Sequence, residues 1–356
     1  WEAAGGGGAD LYAANESSPA AQPSATGANA IAIGDQAVAS AEDSLAIGTD
    51  TDATAYVTTA IGKGAQATAQ FSLALGLNAT ASAERAVAIG NNGVIAGSTY
   101  STAIGHNSGG GGSVTATGSG ATALGGSYAS GASSLAAAIS NNTSSYGATG
   151  GQSVAIGQYS RATVGSAIAI GSAFARADGG QSVAIGRNVY AQKNNSVALG
   201  NQALSDVYGK LAYSGGNFAA TGDSQLGICV LRQQTADATA TVMVTVAYGS
   251  SASTLNQVIL PNNSAYAFHG TIVARQQASQ GTACAAWKIE GLIRREANAG
   301  TTVLVDSTTT VIDNTPSWGM ALTADTTNGG LKITVTGASS TNIRWVATVN
   351  TSEVTY

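Results

Sequence analysis

Paired carboxylates are the first chemistry to test, because glycoside hydrolysis needs two acids held roughly 5–9.5 Å apart in a cleft. In the repeat region 27–204 the acids are Asp35, Glu42, Asp43, Asp50, Asp52, Glu84 and Asp178. Most stand beside Gly-rich turns, where solvated charge is the ordinary reading; a cation held where Asp50 and Asp52 come near Asp35 is the alternative. Glu290, Glu296, Asp306 and Asp325 are scattered farther on, and no motif unites them. The two histidines, His106 and His269, lie 163 positions apart. Each stands alone, and only repetition around a symmetry axis would turn either into a metal site. No Ser-His-Asp spacing, phosphate-binding loop or zincin helix occurs. Cys229 and Cys284 allow a single pairing, but two buried free thiols are the expectation. The residues therefore predict no catalytic group, no metal and no cofactor. What remains is contact chemistry. Tyr128, Tyr146, Tyr159 and Tyr190 fall in turns or insertions, where an exposed ring offers rigid stacking area with a polar tip. With Asn141 and Asn142 they are the candidate receptor-binding residues, around the insertions Ser108–Ser113 and Asn141–Tyr146. Tyr266, Phe268, Trp287, Trp318 and Trp345 are read as core.

The elements that would carry these side chains come from a repeat. Ala-Ile-Gly or Ala-Leu-Gly recurs eleven times, ending at Gly34, Gly48, Gly62, Gly76, Gly90, Gly105, Gly125, Gly157, Gly171, Gly186 and Gly200. The first four intervals are 14 residues, and the later ones are 15, 20, 32, 14, 15 and 14. Each unit pairs a segment such as Ser44-Leu45-Ala46-Ile47-Gly48 with an alternating one such as Ala65-Gln66-Ala67-Thr68-Ala69. Both alternate with period two, a strand pattern, and the glycine marks a turn. Two short strands every 14 residues stack as a parallel solenoid; eleven or twelve coils rising ~4.8 Å each give a rod on the order of 55 Å. The expectation is that Val, Leu and Ile fill the coil interior. The Ala and Ser faces would then meet partner chains, since so thin a coil buries too little alone.

After Gly200 the usage changes, and three of the four tryptophans lie beyond it. Alternating runs such as Thr241–Val246, Leu331–Val335 and Ile343–Val349, separated by turn signals at Pro261-Asn262-Asn263 and Asn328-Gly329-Gly330, predict an antiparallel β-sandwich or jelly roll. The organisation expected is an irregular segment 1–26, β-roll repeats 27–204, a connector 205–226 and a sandwich domain 227–356, all-β throughout. Only 9% of residues are charged and the net charge is −5, which argues against a nucleic-acid partner. No apolar run is long enough for a membrane helix, so no membrane insertion is expected.

The unit Ser-Val-Ala-Ile-Gly followed by an Ala-x-Ala half, over 27–204, resembles the head repeat of YadA-like trimeric autotransporter adhesins, a repeat that also occurs in phage fibres. The resemblance implies a homotrimer of left-handed parallel β-rolls, a surface or fibre location and an adhesive role. The segments Asn256–Pro261, Trp287–Gly291 and Ile343–Ala347 resemble the C-terminal domain of phage tail-fibre-like structural proteins. Together they imply a non-catalytic trimeric phage fibre or spike that binds a host-surface glycan or outer-membrane protein. Other virion proteins would be held through a segment upstream of Trp1. The alternatives are a passenger fragment of a bacterial trimeric adhesin and a polysaccharide-depolymerising spike.

Overall fold

A computed structural model describes residues 21–106, 114–137, 145–314 and 316–356. The chain divides into two compact units, Trp1–Ala175 and Arg176–Tyr356.

The described part of the first unit holds ten turns of parallel solenoid. Each turn contributes a longer strand such as Leu45–Ile47 and a two-residue strand such as Asp52–Ala53. Leu45, Ala46 and Ile47 pair in parallel with Thr59, Ala60 and Ile61 one turn on, while Asp52 and Ala53 pair with Gln66 and Ala67. Among the described residues the first solenoid strand is Ser24–Ala25, which pairs with Val38–Ala39 and lies three residues before the expected boundary.

The interior is the reverse of the expected one. The middle alanines Ala46, Ala60, Ala74, Ala88 and Ala103 are wholly buried, as are Thr51 and Thr58. Ser44 and Ser72 are nearly so, and each hydroxyl donates to a turn carbonyl three residues back at 2.6 Å. Leu45 and Ile47 face outward and are only half-buried; Ile31 is 51% exposed and Ile104 39%. Geometry explains the inversion. A coil closing in 14 residues brings its two ladders so near that methyl-sized groups, with a few valines such as Val94 and Val114, fill the space between them. Alternation then sends every larger neighbour of a buried alanine outside.

The turns are stitched to one another. Asp43, Val57, Phe71, Arg85 and Tyr100 occupy equivalent positions in left-handed backbone, with φ of 53–60°. The Val57 and Phe71 amides each donate to a carbonyl of the preceding turn at 3.0 Å, which offsets the conformational cost. Ten of the eleven repeat glycines also have positive φ, Gly171 being the exception. Close approach is the second reason for glycine: a Cβ on Gly34 would lie 2.6 Å from the Gly48 carbonyl oxygen. Gly90 and Gly105 stand at the ends of five-residue strands, as Gly186 and Gly200 do in the second unit.

The second unit begins with three more turns, the last formed by Leu204–Ser205 and Leu211–Ser214. The first part of the stretch expected as a connector, up to Ser214, is therefore solenoid. Ala212 pairs with Ala198, Lys210 stands where Ser196 stood, and Ser214 replaces the glycine. Strand Ser224–Thr235 then folds back antiparallel on Leu211–Tyr213, so one sheet passes from the roll into the sandwich. Next to it lie Ile343–Thr355, Ser264–Gln276, Cys284–Arg295 and Val303–Asp313, in that order. A second antiparallel sheet is built on Gly330–Thr336, flanked by Gly319–Asp325 on one edge and by Thr241–Val242 and Val258–Ile259 on the other. Leu231, Ile272, Trp287 and Trp345 from the first sheet share one core with Met243, Ile333 and Val335 from the second.

Candidate functional site

Solenoid turns recur in register, so side chains at equivalent positions form columns along the roll. One column runs through Phe71, Arg85 and Tyr100, spaced 14 and 15 residues apart, and Tyr56, the neighbour of the equivalent Val57, leans on its end. Tyr56 and Phe71 meet edge to face at 5.6 Å between centroids. The Arg85 guanidinium lies over Phe71 at 5.0 Å and over Tyr100 at 5.3 Å, and it pairs with Glu84. The rings of Tyr56, Phe71 and Tyr100 are 41–56% exposed. None of the three rings was predicted; the periodicity that places them was readable, but its outward direction was not.

A second cluster does contain predicted residues. Tyr146 and Tyr159 approach to 5.2 Å, and Phe174 stacks on Tyr159 at 5.1 Å with an interplanar angle of 12°. Tyr128 lies elsewhere, half-buried on the strand Tyr128–Ala129 and not in a turn. Tyr190 lies on a strand of the second unit, with the Arg176 guanidinium 5.1 Å from its ring centre. The structure thus joins two of the four tyrosines. Asn141, Asn142 and the 108–113 insertion fall outside the described residues.

The acids are dispersed as the solvated reading expects. Asp35 accepts from the Ala21 amide at 2.9 Å and Asp43 from the Asn29 side chain at 3.1 Å. Asp50 and Asp52 border a shallow concavity that also takes in Lys63, Gln36 and Gln66, so an amine already stands beside them. Among the described residues no three His, Cys, Asp or Glu side chains gather as metal ligands. His106 ends an exposed strand opposite Asn91, and His269 faces solvent between Glu290 and Asn350 in register. The cysteines correct one expectation: both are free, but only Cys229 is buried, while Cys284 is exposed at the start of its strand. Burial pushes the Cys229 thiol up to about 12, against the pull of the nearby Lys210 ammonium. Tyr266, Phe268, Trp287, Trp318 and Trp345 are all core, as expected.

One buried polar group was missed. Lys210, carried by the last solenoid turn, points into the sandwich, where its Nζ reaches Glu353 Oε2 at 2.8 Å. Glu353 also accepts from Gln225 Nε2 and the Thr351 hydroxyl, each at 2.7 Å. The ammonium lies 5.7 Å from the Tyr266 ring centre. Burial is the largest single influence and lowers the Lys210 pKa, but the charges of Glu353 and Asp206, with the Glu353 hydrogen bond, together outweigh it and the net shift is upward. This arrangement is a clamp between roll and sandwich: the pair is shut away from solvent and its donors and acceptors are mutually satisfied. The sequence signal was the lysine itself, at a position that holds small residues in earlier turns.

Residues 25–51, 53–79, 69–92, 148–173 and 177–203 match the YadA head domain repeat. The matched segments all lie in the solenoid and are distributed over both units. No curated protein sequence matches the chain. Two solved structures are similar to it at low level. One is the tailspike protein gp49 of the Acinetobacter baumannii bacteriophage Fri1, described as a capsular polysaccharide depolymerase, at 9% identity and a TM-score of 0.23, covering 87% of this chain and 59% of that one. The other is the tailspike protein of Acinetobacter baumannii phage AM24, at 12% identity and a TM-score of 0.21, covering 88% and 61%. The chain spans about three fifths of the length of each, and scores of that size do not establish a common fold.

Proposed function

We propose that the chain is part of a homotrimeric, surface-exposed fibre or spike, borne on a phage particle, that attaches to a host-cell surface without cleaving it. The observation that supports this reading best is the outward pair of apolar columns on the solenoid. In the first unit Ile33, Ile47, Ile61, Leu75, Ile89 and Ile104 follow one another turn by turn on the outer face of the longer-stranded ladder. Beside them run Ile31, Leu45, Leu73 and Val87, with Thr59 between Leu45 and Leu73. A contiguous apolar stripe of this kind is a surface for a partner, and the partner chemistry it fits best is the same stripe of another copy. Three such rolls around an axis would bury the stripe on each. The shorter-stranded ladder, whose outward residues include Asp52, Gln66 and Thr80, would remain in water with the aromatic clusters at its turns.

Attachment follows from repetition. Three copies of each exposed ring cluster per fibre, and several fibres per particle, turn weak single contacts into strong retention. The test is binding of the labelled full chain to host cells, with imaging of the fibre on its parent particle. Saturable binding that soluble chain competes away is expected, together with antibody decoration of a virion projection. Decoration of the bacterial envelope instead would favour the adhesin alternative. Shortening of host capsular polysaccharide by the purified chain would overturn the non-catalytic part.

A further inference from the structure

We infer that the outer face of the five-stranded sheet in the second unit carries a binding site for an acidic glycan, one that presents carboxylate or phosphate groups. The inference rests on the reading that the chain contacts a cell surface, and it names the chemistry of what is contacted.

Three arginines converge on this face, in a chain with only 14 basic residues and a net charge of −5. Arg275 on Ser264–Gln276 stands directly opposite Arg344 on Ile343–Thr355. Arg344 is in turn opposite Gln234 on Ser224–Thr235, and Arg232 lies two residues back along that strand. All three arginines are exposed. Like charges directly across a strand pair are destabilising, and a protein normally relieves them with a carboxylate. Here there is none: Arg232, Arg275 and Arg344 make no ion pair among the described residues.

The cationic cluster is also shaped. Gln234, Tyr248, Arg275, Asn342 and Arg344 help to line a concavity of about 450 Å³. A second hollow of about 310 Å³, with Arg232 on its wall, shares Gln234, Tyr248 and Arg344 with it. Tyr248 is 60% exposed over the cleft. Arg275 is held in place: one of its terminal nitrogens donates to the carbonyls of Gln276, Gly281 and Ala283 at 3.1, 3.2 and 3.3 Å. The rest of its planar fork is free for a ligand, and the fork matches carboxylate and phosphate oxygens two at a time. An acidic sugar fits each part: its anion between Arg275 and Arg344, its ring against Tyr248, and its hydroxyls within reach of the Gln234 and Asn342 amides. A neutral sugar would leave the arginine repulsion unrelieved.

The test uses the full chain and three defined probes, tetragalacturonic acid, its methyl ester and a glycerol-phosphate oligomer, with affinity read by calorimetry. At least one acidic probe is expected to bind, the neutral ester at least about tenfold more weakly. Arg344→Gln and Arg275→Gln should each lose about tenfold or more for that probe. Arg294→Gln, which removes an arginine already paired with Glu296 on the same sheet, should lose nothing. Preference between the two acidic probes tells a uronate from a phosphate ligand. Equal binding of the ester, no binding of either acidic probe, or a loss of oligomer mass in Arg344→Gln as the sole effect would each overturn the inference. Host-cell binding run in parallel separates the two levels. If the wild type binds cells and the arginine variants bind equally well, the site is refuted and the attachment reading stands. If the wild type does not bind cells, the attachment reading falls while the probes still judge the site.

Discussion

The roll and the sandwich solve the burial problem in opposite directions. In the roll, alanine and serine are the core, and the isoleucines and leucines are the surface. In the sandwich, Trp345, Leu231 and Ile272 are at most 1% exposed and form the core, although smaller apolar residues such as Val273 and Val346 stand on the outer face. The same period-two alternation underlies both. What differs is the distance between the two ladders that the side chains must fill. A sandwich has about 10 Å between its sheets and takes tryptophan, whereas a coil that closes in 14 residues takes a methyl group. Hydrophobic residues are therefore no guide to the inside of such a coil, and under the proposed reading their columns are the surface that partner copies would cover.

The difference can be broken experimentally. Placing charge on the stripe, with Ile47→Asp and Ile61→Asp together, should have the largest effect, dispersing the oligomer entirely while leaving a folded sandwich. A sizing column with near-ultraviolet dichroism would show both. Trp345→Ala should cost the sandwich about 3–5 kcal/mol, because the ring stacks on Trp287, packs at a tilt against Trp318 and donates its indole N–H to Thr235. Denaturant melting of the second unit reports it. Glu353→Leu should cost a comparable ~3–5 kcal/mol, since it strands the buried Lys210 ammonium. The double variant with Lys210→Met should recover most of that loss. The pH dependence of this clamp has a definite sign. A lysine whose pKa is raised on folding stabilises fully below its unfolded value and loses that contribution as pH rises through the folded value. The lysine's contribution should thus weaken in the strongly alkaline range. On the acid side, Asp223 is the group to follow. Burial works to raise its pKa, but the amides of Phe218, Ala219 and Ala220 hold it below the ordinary carboxylate value. Its stabilisation is present above the unfolded value and fades as pH falls through the folded one, which Asp223→Asn would show by flattening the acid limb.

Smaller changes sharpen the contrast. Ala60→Leu adds three carbons where the roll has no space and should cost about 1–3 kcal/mol, although it makes the sequence more hydrophobic. Val57→Gly relieves a β-branched residue at φ 53° and should be neutral or stabilising by up to ~1 kcal/mol. Thermal melting distinguishes the two by sign.

Much of this architecture was legible in the sequence. The repeat, its strand period and the turn glycines were direct consequences of spacing, and the tryptophan-rich half announced a conventional core. The inside of the roll was not legible, because alternation shows which residues share a face but not which face is inward. The last turn was hidden by two substitutions, Lys210 for serine and Ser214 for glycine, whose reason is the sandwich that caps it. Phe71, Arg85 and Phe174 escaped notice because they matter as members of columns and stand alone in the chain. The arginine cleft escaped for a stronger reason: Arg232, Arg275 and Arg344 are brought together by strand pairing between segments far apart in sequence.

The central claim is that the outward stripe is covered by two further copies of the chain. Sedimentation equilibrium of the full chain measures this directly. A single species at three times the 34.8 kDa chain mass is the result expected, falling toward one chain mass in the Ile47→Asp, Ile61→Asp variant. A stable, well-folded wild-type monomer at 34.8 kDa across the concentration range would contradict it.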